Sequence, residues 1–208
     1  MWSLEAKTNL QANDLMPLIK KWEPAPDVLL GLWKVDETLS DFSVTRDKNI
    51  SVNRQLERML AHALLHQMTG DEALSIHHNS MGAPYTDEYY ISVSHTKGYV
   101  AVMLSKRHTV AVDIEWKSNR VERVATRFLR EDENILLSTA EKLLCWCGKE
   151  TLYKLYSQDD LSFTQMKILP FKILSQGSFW GRNILRNSNV EIFYEVTNQY
   201  TLTYTWLQ

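Results

Sequence analysis

The chain of 208 residues is short of several things, and each shortage excludes a class of protein. It has only two cysteines, Cys145 and Cys147. On a helix, residues two apart point to nearly opposite sides, so these two are not expected to pair. With no further cysteine, neither a disulfide framework nor a cysteine-based zinc site can be assembled. Both thiols read as small buried groups in a reducing compartment. Neither sign of charge is in excess: 23 Lys and Arg against 25 Asp and Glu leave a formal net charge of −2. No overall basic field exists to draw nucleic acid or anionic lipid. Purely apolar runs, such as VLL in DVLLGLWK, are far too short to cross a bilayer. The stretch MWSLEAKTNLQAND lacks the basic-then-apolar layout of a signal peptide. The expectation is a cytoplasmic protein with no membrane and no nucleic-acid partner.

What is present is an ordinary globular composition, 44% hydrophobic and 23% charged, enough for a sizeable core. A strand is predicted in DVLLGLWKV, after the Pro-containing loop EPAPD. A helix follows in SVNRQLERMLAHALLHQMTG, with Ser51 or Asn53 to cap it and Gly70 to end it. After the loop HHNSMGAPYTDE come three strands, YYISVSH, YVAVML and TVAVDIEW. Their connections, TKG and KRH, are short, which predicts an antiparallel meander. Helical patterns in VERVATRFL and STAEKLLCWCGKETLYKLY precede further strands in FTQMKILPFKIL, VEIFYEV and YTLTYTWL. The order predicts an α+β fold in which antiparallel sheets pack on helices. A junction near Arg107 to Thr109 would divide the chain into comparable halves, 1–108 and 109–208.

Several charged residues stand in awkward places. In WCGKETLYKL, Trp146 to Leu155, apolar groups occupy several helix faces, yet Glu150 and Lys154 fall on the side of Leu143 and Cys147. An isolated Glu/Lys pair at this spacing reads first as an exposed ion pair of about 0.2–0.5 kcal/mol. A carboxylate directed inward instead needs a cation or donors. In TVAVDIEW, alternation puts Val110, Val112 and Ile114 on one face and Ala111, Asp113 and Glu115 on the other. The plain reading of that second face is exposed and polar. Two adjacent carboxylates resist double ionisation unless positive charge lies between them. Asp113, Glu115 and Glu150 together would make a hard oxygen site suited to Mg²⁺, with Lys149 and Lys154 beside it to neutralise phosphate. His95 ends a strand and reads either as structural or, with Ser94 and Thr96, as a donor to an anion.

Three stretches in order, SVSH (Ser92–His95), AVDIE (Ala111–Glu115) and WCGKETLYK (Trp146–Lys154), resemble the N-x-S-H, G-x-D-x-E and W-x-x-K-E-x-x-x-K patterns of the 4′-phosphopantetheinyl transferases. The length resembles the monomeric branch, and that resemblance implies two similar α+β halves forming a pseudo-dimer, each with an antiparallel sheet on a long helix. The N-terminal half would serve the coenzyme's adenine and phosphates, the C-terminal half the metal and the catalytic helix. The implied reaction moves the phosphopantetheine arm of coenzyme A onto a serine of an apo acyl or peptidyl carrier protein, releasing adenosine 3′,5′-bisphosphate. By position, Asp113, Glu115 and Glu150 would hold Mg²⁺. Arg54, Ser94, His95, Lys149 and Lys154 would contact coenzyme A. Glu133, Glu150 and Lys154 would carry the catalysis, Glu133 matching a glutamate proposed to help deprotonate the serine.

Four positions depart from the family pattern: Ala83 in Gly82-Ala83-Pro84 replaces a lysine, Ser92 an asparagine, Ala111 a glycine and His62 an arginine. Lost cationic contacts would weaken coenzyme binding more than chemistry. The alternative they leave is a catalytically weak or inactive module that binds coenzyme A or a carrier. Arg120, Arg123, Arg127 and Arg130 fall on one helix stripe, either a solvated face or a dock for an acidic carrier.

Overall fold

A computed structural model describes residues 18–35, 51–133 and 137–207; the stretch read for a signal peptide lies outside them. The fold is α+β. In chain order the elements are β1 (Leu18–Ala25), β2 (Val28–Lys34), α1 (Val52–Thr69), β3 (His77–His78), β4 (Pro84–Tyr85), β5 (Tyr90–Thr96), β6 (Tyr99–Ser105) and β7 (Val110–Trp116). Then follow α2 (Arg120–Phe128), α3 (Thr139–Leu155), β8 (Met166–Ile168), β9 (Gln176–Asn183), β10 (Ser188–Val196) and β11 (Tyr200–Trp206). No helix among the described residues is long and apolar enough to cross a membrane.

Helices α1 and α3 begin where a serine side chain satisfies a free backbone N–H. Ser51, rather than Asn53, caps α1 by accepting from the Arg54 N–H, and Gly70 closes it at φ 74°. Ser138 and Glu141 cap α3 reciprocally: Ser138 Oγ accepts from the Glu141 N–H, and the Glu141 carboxylate accepts from the Ser138 N–H.

Two main sheets form, in the orders β1-β2-β6-β5 and β7-β11-β10-β9-β8, and every pairing is antiparallel. Strand alternation sends side chains into three separate cores. Val100, Val102, Leu104 and Trp33 meet Leu60, Leu64 and Leu65 of α1. Leu30, Leu32, Ala101 and Met103 face Val110, Val112, Ile114 and Leu202 across the gap between the sheets. Ala111, Phe179, Val190 and Ile192 pack under α2 and α3 with Phe128, Leu144 and Leu152. The layers are therefore α1, first sheet, second sheet, then α2 and α3.

The expected three-strand meander does not form. β5 and β6 make a hairpin, but β6 already has β2 on its other edge. The chain after Ser105 therefore changes sheets, and β7 ladders with β11. β7 still lies beside β5, joined by side chains instead of a backbone ladder. Ser92 Oγ accepts from the Val112 N–H at 3.0 Å, Ser94 Oγ from Ile114 at 3.2 Å, and Thr96 Oγ1 from Trp116 at 2.9 Å. Both sets of numbers rise together, so the two edges run parallel. Three hydroxyls at period two thus satisfy N–H groups that would otherwise be stranded on an edge strand.

Candidate active site

The seam between β5 and β7 lies under α3, and the acidic residues of β7 meet that helix. Asp113 is 4% exposed. Its Oδ1 accepts from Ser94 Oγ at 2.8 Å and from Lys154 Nζ at 2.7 Å. Lys154 also donates to the Val112 carbonyl at 3.0 Å. The second oxygen, Asp113 Oδ2, is buried and has no hydrogen-bond partner among the described residues. A buried carboxylate oxygen left bare is costly unless something positive or protic comes to it.

Two more carboxyl groups face the same region. Glu115 Oε1 accepts from the Trp146 indole N–H at 2.7 Å. Burial and the neighbouring Asp113 push the Glu115 pKa up to about 7; the Trp146 hydrogen bond opposes this, Glu150 adds to it and Lys154 opposes it. Glu150, half-buried on α3, is also raised, by burial first and by Asp113 second, against the pull of Lys154. The site holds more negative charge than one lysine offsets. In this arrangement no three His, Cys, Asp or Glu side chains among the described residues stand close enough together to hold a metal ion. The donors nevertheless suit a hard cation in kind: all are carboxylates, and one oxygen is buried and unpartnered.

Trp146 is a working member of this group that sequence reasoning left without a role. A half-buried indole needs a partner for its N–H, and that need was the available signal. Its ring packs on Phe128 and Phe163, with centroids at 5.1 and 5.3 Å. The indole is thereby held in place to orient Glu115.

Of the other expected site residues, Ser94 bonds Asp113 directly, while Lys149 and Glu133 bond each other. Lys149 is wholly buried. Its ammonium donates to Glu133 Oε2 at 2.6 Å, the Phe128 carbonyl at 2.7 Å and the Phe163 carbonyl at 3.3 Å. Those three bonds occupy all three of its protons. Burial lowers its pKa while Glu133 pulls it upward. Glu133 is equally committed, accepting also from the Arg130 and Ile168 N–H groups at 2.8 and 2.6 Å. This pair ties the end of α2 to α3 and β8, away from Asp113. Ser94 is 6% exposed and turned into the seam. His95 and Arg54 are exposed, with His95 Nδ1 3.3 Å from Glu57 Oε1.

His62, at a departure position, is also occupied. Its Nε2 accepts from the Ile76 N–H at 3.0 Å, so Nδ1 carries the proton, directed at the Arg58 carbonyl 2.9 Å away. Burial, chiefly, lowers its pKa and keeps the ring neutral. The histidine staples α1 to the following segment. On α2, Arg120, Arg123 and Arg127 are exposed, while Arg130 lies past the helix end and bonds Asp132 and the Thr164 carbonyl. Both cysteines are free and buried.

Two clefts flank the site. The larger, about 660 Å³, is lined by Tyr85, Tyr90, Lys106, Lys154, Tyr156 and Arg186 among others. The smaller, about 460 Å³, has Lys97, Glu115, Val121, Val124 and Trp146 in its walls.

Comparison with known proteins bears on this half of the molecule. Residues 109–205 match the 4′-phosphopantetheinyl transferase superfamily. The match starts just before β7 and spans Asp113, Glu115, Glu150 and Lys154, but leaves SVSH outside. No curated protein matches the chain.

Proposed function

We propose that this protein transfers the 4′-phosphopantetheine arm of coenzyme A to a serine of an apo acyl or peptidyl carrier protein, with Mg²⁺, as a monomer of two α+β halves. The observation that carries the reading is the buried Asp113, unpartnered at Oδ2, grouped with Glu115, Glu150 and Lys154 inside the family-matched segment. Asp113, Glu115 and Glu150 would hold the cation, after side-chain adjustment. A bound Mg²⁺ would supply charge neutralisation and positioning at the pyrophosphate, which phosphoryl-type transfer needs more than covalent help.

The chain's own groups have separable tasks. Lys154 sits on Asp113 in the free protein and lines the larger cleft. Its ammonium would turn to the pyrophosphate and stabilise the leaving group. Glu150, with its raised pKa, would accept a proton from the carrier serine. His95 and Arg54 are exposed and available to coenzyme phosphates. Lys149 and Glu133 support the site by joining α2 to α3. The smaller cleft, beside Glu115, would admit the carrier's serine. The exposed Arg120, Arg123 and Arg127 would steer an acidic carrier. Neutralising two of them is expected to raise the carrier KM several-fold with little change in kcat; an unchanged KM at low salt would reject that dock.

The direct test is intact mass spectrometry of an apo carrier protein incubated with this protein, coenzyme A and Mg²⁺. The expected result is a mass gain of one phosphopantetheine arm, abolished by EDTA and by Asp113→Ala. Coenzyme binding with no mass gain across several carriers would instead support a binding module without turnover.

A further inference from the structure

Asp113 is held by two different donors on the same oxygen. Lys154 is the more exposed one: its side chain is 27% exposed, and it reaches the site from the last turn of α3. Ser94 is the fixed one. Its Oγ is buried, donates to Asp113 Oδ1 at 2.8 Å and accepts from the Ile114 N–H at 3.2 Å. That hydroxyl is thus locked between two partners on β7, and its proton has one direction. With Oδ1 engaged, the carboxylate presents only Oδ2, the oxygen without a partner.

We infer that Ser94 is a positioning residue, which holds Asp113 so that Oδ2 faces an incoming divalent cation. This rests on the metal-site reading given above. When Lys154 turns toward phosphate, Ser94 is the donor that stays on Oδ1. Partners of this kind fix a ligand's rotamer, and their loss weakens metal affinity by about 10- to 100-fold. Ser92 offers the control. It makes the same seam bond, to the Val112 N–H at 3.0 Å, and no bond to Asp113.

The experiment titrates Mn²⁺, alone and with coenzyme A, into wild-type protein, Ser94→Ala and Ser92→Ala, and measures each Tm. Both variants are expected to lose thermal stability, Ser94→Ala more, because each loses one seam bond and Ser94→Ala also loses its bond to Asp113. Only Ser94→Ala is expected to weaken Mn²⁺ binding, about tenfold or more. Unchanged Mn²⁺ affinity in Ser94→Ala, or an equal loss in Ser92→Ala, would overturn the positioning role and leave the metal site standing. Wild-type protein that binds no Mn²⁺ under either condition would overturn both. Should Ser94→Ala fail to fold, Ser94→Cys fills nearly the same space with a weak donor and is held to the same outcomes.

Discussion

The two long helices, α1 and α3, each cover the outer face of one sheet, but they do so with different chemistry. The buried face of α1 is Leu60, Ala61, Leu64, Leu65 and Met68, with Gln55 its one buried polar residue. The buried residues of α3 include Gly148, Lys149 and Thr151, and Glu150 and Lys154 are half-buried beside them. A helix that only supports a sheet needs an apolar stripe. α3 breaks that pattern where the acidic cluster lies, as functional elements tend to.

If this contrast is sound, charge removal should be severe on α3 and mild on α1. Lys149→Met leaves Glu133 buried without its cation and is expected to cost about 3–5 kcal/mol in urea unfolding. Adding Glu133→Gln to it should recover a large part of the loss. Glu57→Gln on α1 touches only an exposed ion pair with His95 and should cost less than about 1 kcal/mol. Equal effects would erase the distinction.

Packing gives a second, smaller contrast. Each helix comes close to its sheet over glycine, α1 over Gly31 of the sheet and α3 over its own Gly148 as well as Gly181 of the sheet. On the α1 side the glycine is Gly31 of the sheet, and an added Cβ there would meet Met68 Sδ at 2.5 Å and Leu64 at 2.9 Å. On the α3 side, at Gly148 of the helix, a Cβ would meet the Phe179 ring at 2.8 Å. Phe179 is itself packed against Phe171 and Tyr194, so it cannot easily yield. Gly148→Ala should therefore destabilise by about 1–3 kcal/mol, and Gly31→Ala by less, since the Met68 side chain can shift. The reverse order in thermal denaturation would contradict this view of the two interfaces.

A further effect concerns pH and centres on Glu115 of the second sheet. Burial and the neighbouring Asp113 push the Glu115 pKa up to about 7 from an ordinary value near 4.5. The native state therefore holds its proton more tightly. The resulting stability is complete below about pH 4.5 and is lost as the pH rises through about 7. Wild-type Tm should decline over that window, less steeply in Glu115→Gln, and Mn²⁺ should restore it above pH 7. Identical slopes in the two proteins would exclude Glu115 as the source.

Much of this architecture was legible in the chain. The spans of α1, α2 and α3 follow from apolar spacing and their caps, and β2, β5, β6, β7, β10 and β11 from alternation. β1 runs into the expected loop EPAPD, where Pro24 interrupts the pattern, which an edge strand tolerates. β9 was missed because its sequence, QGSFWGRN, has two glycines and no clean alternation. The meander failed because short connections suggest neighbours, yet β6 had no free edge.

The site divides in the same way. Alternation along β7 put Asp113 and Glu115 on one face, and helical spacing put Glu150 one turn from Lys154, before any coordinates were known. Those are local periods, 2 and 3.6 residues, and the chain sets them directly. Which ionisable groups meet one another and which are buried was decided by packing. Lys149 is adjacent to Glu150 in sequence, yet it bonds Glu133, 16 residues away, and is wholly buried. Ser94 finds Asp113 only because the edges of two sheets run side by side. Burial and pairing are long-range properties: a charge removed from water takes whichever partner the packed layers bring to it.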